Sequence, residues 1–115
     1  MSKESQTIPA AQALPLTTLV HPTEHGIASR VLARTAGGNV TLFAFDAGQG
    51  LEEHTSPFDA LVLVQHGALD LTIGGESVRA TPGSIVRMPG GVPHVLEAPV
   101  PSRMLLVMLR EPKAG

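Results

Sequence analysis

At 115 residues the chain can build one hydrophobic core but not two, and its 8 basic against 10 acidic residues leave a formal charge of -2, too weak a field to gather nucleic acid or an anionic membrane. The absence of cysteine excludes disulfides, thiolate metal sites and thiol nucleophiles, while three Phe with no Trp or Tyr leave few stacking platforms. What remains is a small neutral or weakly charged ligand and, for any metal, nitrogen and oxygen donors.

Residues 1–13 are small and polar without periodicity and predict a flexible N-terminal arm, followed by one domain over 14–115. No apolar run reaches signal-peptide or membrane-spanning length, so a soluble cytoplasmic protein is expected. Short apolar or β-branched runs then succeed one another: LPLTTLV, ASRVLART, NVTLFAFD, ALVLVQ, ALDLTIG, ESVRAT, SIVRMP, HVLEAP and SRMLLVMLR. Gly- and Pro-rich breaks separate them, the pattern of an all-β sandwich or barrel. Gly74-Gly75 between two alternating runs predicts a two-residue hairpin turn. ALVLVQ and MLLVMLR are apolar on both faces, so each strand needs cover outside as well as inside. A homodimer is expected to supply it.

The glycines and prolines carry their own geometry. Gly67, Gly83 and the Pro89-Gly90-Gly91 run mark sharp reversals that need positive or fixed φ. Together with His54, Ser56 and Ala60 between Gly48 and Gly67, and with His94 behind the Pro89-Gly90-Gly91 turn, they resemble the two motifs of the cupin superfamily. The likeness extends over almost all of the chain after the arm, to small single-domain RmlC-like cupins of unassigned function. It implies a double-stranded β-helix, a jelly roll of two antiparallel sheets. Many such cupins pair through an outer sheet face, with the N-terminal strand joining the partner's sheet.

In relatives with the full motif, the resemblance implies a divalent metal held by two histidines and a glutamate of the first motif and a histidine of the second. Here His54 and His94 keep two of those places, whereas Ser56 is a poor ligand and Ala60 cannot bind. Asp59 is the nearest carboxylate that could complete the set, but in a regular strand it points away from the Ala60 side, and its other role is hydrogen bonding in the bend. Glu52 shares a face with His54 by strand parity but stands where the strand begins, near the barrel mouth. His66 is expected at the far end of its strand, and His21 and His25 in a loop. Met88, Met104 and Met108 are read as core fillers, with Met104 lining the cavity if it faces inward.

Two functions follow. One is a small-molecule binding barrel with an interior pocket lined by His54, Ser56, Ala60, His94 and Met104, anchoring its ligand on the two histidines and holding Zn, Ni, Fe or Mn weakly or only with a ligand's help. The alternative is a dioxygenase-like or isomerase-like metal enzyme with a degenerate ligand set. A metal-free histidine base is a third reading, although the chain lacks the tyrosine that acts as paired acid in other cupins. The fold does not choose among these.

Overall fold

The computed structural model describes residues 7–111. Among these residues nine strands form two antiparallel sheets: β1 (Ile27–Thr35), β2 (Gly38–Phe45), β3 (Gly50–His54), β4 (Asp59–His66), β5 (Leu69–Ile73), β6 (Glu76–Ala80), β7 (Ile85–Met88), β8 (His94–Glu97) and β9 (Ser102–Leu109). One sheet runs β1-β2-β9-β4-β7 and the other β3-β8-β5-β6. This is the expected jelly roll. No helix among the described residues is long and apolar enough to cross a membrane.

Alternation along the strands builds the core. Phe45, Val62, Val64, Leu69, Leu71, Leu96 and Met104 point between the sheets and are almost fully buried, because every second residue of a strand faces the same side. The β5–β6 hairpin turns on Gly74 and Gly75 at φ 57° and 86°, the left-handed pair of a type I′ turn.

Two elements depart from the sequence reading. LPLTTLV is no strand: Pro15 is extended, Leu16–Thr18 form one 3-10 turn, and the Thr18 N–H and hydroxyl both donate to the Pro15 carbonyl. β3 was absent from the predicted strands because GLEEH offers one apolar side chain and no alternation.

The expected arm over 1–13 falls partly outside the described residues. Of its described part, Ile8 donates its N–H to the Leu32 carbonyl at 3.0 Å. Ile8, Leu16, Leu19 and Val20 pack on Leu32, Val40, Leu42, Ala44 and Leu105, while Arg30 and Arg103 donate to the Leu19 and Val20 carbonyls. The chain's own N-terminal segment therefore covers one part of the outer face of the larger sheet. Farther along that face Leu61, Leu63 and Val107 stay half-buried, and Ile85 and Leu109 are exposed.

Gly67 closes β4 at φ 78°, and a Cβ there would run into the Pro101 carbonyl and the Ser102 hydroxyl. That hydroxyl accepts the Ala68 N–H at 3.1 Å and faces the Ala68 and Val100 carbonyls. Gly67→Ala is accordingly expected to cost about 1–3 kcal/mol through backbone strain and a broken turn. Urea denaturation reads this directly, and an unchanged midpoint would contradict it.

Candidate functional site

The two histidines meet because of an irregularity in the smaller sheet. β3 pairs with β8 at Gly50–Glu97 and Leu51–Leu96, and then at His54–His94. Three steps along β3 therefore match two along β8, so β3 carries one extra residue, a β-bulge. The bulge shifts the side-chain phase, and Leu51 and His54 both face the interior with His94 and Leu96. Glu52 consequently loses the shared face that regular parity predicted, and it is exposed.

His54 Nε2 and His94 Nε2 lie 3.1 Å apart, with ring centroids at 4.3 Å and planes crossing at 72°. On the far side of each ring stands a backbone carbonyl: Glu52 O is 3.1 Å from His54 Nδ1, and Val92 O is 3.3 Å from His94 Nδ1. A carbonyl only accepts, and two neutral imidazoles carry two N–H protons for three contacts, the two carbonyls and the Nε2–Nε2 approach. One of the three contacts is therefore left without a proton. That arrangement calls for a third proton shared between the rings, or for a donor group or metal ion that reaches both nitrogens from one side.

His94 is 5 % exposed, and this burial is the largest influence on it, lowering its pKa from the ordinary 6.5; the Val92 carbonyl pulls the other way and the His54 charge lowers it further. The unfolded chain therefore takes this proton more readily than the folded protein. The stability that His94 contributes is complete above about pH 6.5 and is lost as the pH falls from there through the depressed folded value. The thermal midpoint should decline on acidification across that window, and the double variant His54→Ala/His94→Ala should lack the decline. Asp46, Asp59 and Asp70 are lowered from 3.8 by their hydrogen bonds, so their acid limb lies well below. A wild-type midpoint that rises on acidification below about pH 6.5 would refute the assignment.

His54, Ser56, Ala60, His94 and Met104 line one interior cavity, with Leu51, Met88, Leu96, Leu106 and Met108 completing it. Its volume is about 20 Å³, room for about one water or one ion. A larger groove of about 540 Å³ between Phe58 and Arg110 lies outside the barrel and contains neither histidine. Asp59 is turned away from the cavity. One of its oxygens accepts the Gly90 N–H at 2.8 Å and the other pairs with Arg87 at 3.0 Å, the bend-fixing role rather than the ligand role. His66 ends β4 beside Arg103 at the opposite end of the strand, and His25 sits in a loop at φ 57°.

Sequence reasoning missed Met88 and Met108 as cavity walls. Ala60 pairs with Met88 of β7 on one side and Met108 of β9 on the other. One rung of the larger sheet thus sets two thioether side chains around the alanine. Ser56 Oγ stands 3.8 Å from Met108 Sδ and accepts the Phe58 N–H at 3.2 Å.

The fold and this paired-histidine cavity define a class. The model of the Cupin domain family matches residues 41–109, and the chain belongs to that family. It is similar to a conserved protein of unknown function from Streptococcus pyogenes, with 36% identity over 94% of each chain and a TM-score of 0.86. A cupin superfamily protein from Desulfitobacterium hafniense shares 24% identity over 91% of this chain and 96% of its own, with a TM-score of 0.84. Salicylate 1,2-dioxygenase from Pseudoaminobacter salicylatoxidans, at 17% identity over 72% of this chain and 25% of its own with a TM-score of 0.68, shares the fold alone. No curated protein matches the chain.

The residues do not fit the divalent metal that the full cupin motif implies. Among the described residues no group of three or more His, Cys, Asp or Glu converges to hold an ion. With no carboxylate beside the imidazoles, a divalent charge would be left uncompensated.

Proposed function

We propose that this cupin binds a small molecule through the His54–His94 pair, with a polar donor group of the ligand, or a divalent metal whose shell that ligand completes, bridging the two Nε2 atoms from one side. The observation that carries this reading is the meeting of the two Nε2 atoms at 3.1 Å in one cavity, each ring with a carbonyl behind it. The exposed edge of His54 provides the way in, and the small cavity limits what enters to one group while the body of the ligand stays at the mouth. A resident metal enzyme is the weaker reading, since it needs a ligand that neither Ser56 nor Ala60 provides.

Calorimetric titration with zinc, nickel, iron(II) or manganese alone should give binding weaker than about 1 μM, or roughly 8 kcal/mol. Stoichiometric binding tighter than this, lost in His54→Ala/His94→Ala, would overturn ligand-assisted binding in favour of a complete metal site.

The same reading includes a homodimer built on the outer face of the larger sheet, where Leu61, Leu63, Val107, Ile85 and Leu109 continue the apolar surface beyond the N-terminal segment's cover. Light scattering should give twice the 12.0 kDa chain mass, and Leu63→Lys or Val107→Lys should return the mass to that of one chain. A monomeric wild type at micromolar concentration would exclude the dimer.

A further inference from the structure

We propose that Asp59 is a positioning residue for the His54–His94 pair, its carboxylate clasping the loop that follows His54 to the loop that leads into His94. This rests on the His54–His94 reading and adds what sets the approach of the two rings. β3 ends on His54, and residues 55–58 carry the chain to Asp59 at the head of β4; β7 ends on Met88, and residues 89–93 carry it to His94 at the head of β8. The two loops are joined at three places. Asp59 Oδ1 accepts the Gly90 N–H at 2.8 Å, the Ser56 carbonyl accepts the Gly91 N–H at 2.7 Å, and Gly90 packs so closely on the Pro57 carbonyl that a Cβ there would stand 2.6 Å from its oxygen. Only the first of the three is made by a side chain, so only there does the residue type decide whether the loops hold together.

The carboxylate acts on the site without entering it. Strand alternation turns Asp59 away from the cavity that Ala60 lines, and Arg87 of β7 holds its second oxygen at 3.0 Å. The Gly90 N–H first and Arg87 second keep its pKa below the ordinary 3.8, so it is ionised at neutral pH, and a charged acceptor makes the stronger hydrogen bond. At the other end of the same loop, the Pro93 carbonyl accepts the Gly74 N–H at 2.9 Å. The loop is thus tied at one end to the β5–β6 turn and at the other to Asp59, and Val92 lies between the ties with its carbonyl 3.3 Å from His94 Nδ1. Releasing the Asp59 end frees the backbone that carries this carbonyl, and with it the orientation in which His94 Nε2 meets His54 Nε2 at 3.1 Å.

The test compares wild type, Asp59→Ala and Asp59→Asn, each as the whole chain free of metal, by NMR of the imidazole nitrogens and by amide hydrogen exchange. Asparagine keeps an oxygen for the Gly90 N–H, and alanine keeps none. With its side chain 44% exposed, Asp59 can be replaced without opening a cavity in the core, so both variants are expected to fold. Asp59→Ala should move the ring signals of His54 and His94 and speed exchange of the Gly91 amide at least about tenfold, the equivalent of one lost hydrogen bond. Asp59→Asn should restore both. Gly67→Ala, at the opposite end of β4, controls for a general loss of stability and should leave the ring signals in place. Ring signals unmoved in Asp59→Ala, moved as far in Gly67→Ala, or not restored in Asp59→Asn would overturn the proposal. Zinc and methylammonium added to wild type, one a metal and the other a donor group, test the underlying reading on the same signals. If neither moves the rings while Asp59→Ala does, the ligand reading fails and the clasp stands; if either moves them while Asp59→Ala changes nothing, the clasp fails and the reading stands.

Discussion

Ala60→Glu is expected to destabilise the metal-free barrel by about 3–5 kcal/mol, because it places a carboxylate with no partner among buried methionines and leucines. Ala60 is 2 % exposed between Met88 and Met108. The charge has nowhere to go: Arg87, the nearby cation, is engaged with Asp59 on the other side of the sheet. Adding Ser56→His should convert this liability into a metal-dependent stability, since the four side chains of the full cupin motif would then face one cavity. With zinc at about 100 times its dissociation constant, roughly 2.7 kcal/mol should return. Chemical denaturation of both variants with and without zinc measures each step. A doubly substituted protein that folds but gains nothing from zinc would show that positions 54, 56, 60 and 94 do not converge.

Phe45→Ala should cost about 3–5 kcal/mol, a large part of the roughly 5–15 kcal/mol that holds a domain of this kind folded. Phe45 is fully buried on β2, its ring stacked at 5.9 Å on Phe43. The Phe43 ring beside it is held by its own place on the same strand, and the chain has no Trp or Tyr to fill the space that Phe45 leaves. The strands around it are tied by ladders on both sides and cannot collapse inward as a loop would. A thermal melt shifted by only a degree or two would show that the core relaxes around the gap.

Legibility in the sequence followed the locality of the cause. β1, β2 and β4 through β9 announced themselves as short apolar or β-branched runs bounded by Gly or Pro breaks, and the Gly74-Gly75 turn needed only its two residues. β3 was hidden because GLEEH has no apolar alternation and because its bulge breaks the period that pattern reading relies on. LPLTTLV misled in the opposite direction, apolar enough for a strand but bent by Pro15 into a 3-10 turn whose job is to cover Leu42 and Ala44. His54 and His94 could be paired only through the motif spacing. The carbonyls behind their rings depend on backbone paths, and the gathering of Met88 and Met108 around Ala60 depends on β4 lying between β7 and β9, a long-range arrangement that no local window contains.

The single extra residue in β3 also works like a reading frame. Every side chain before it keeps one sense of in and out, and every side chain after it has that sense reversed, so His54 faces the interior although it stands three residues, not two, after Leu51. Deleting either Glu52 or Glu53 would set the histidine two steps after Leu51, where plain alternation already points it to the interior opposite His94, so the bulge would vanish and the imidazole would keep its side. In a lineage of such barrels, this strand can therefore lose one acidic residue and keep its interior centre, because the bulge absorbs the difference in count.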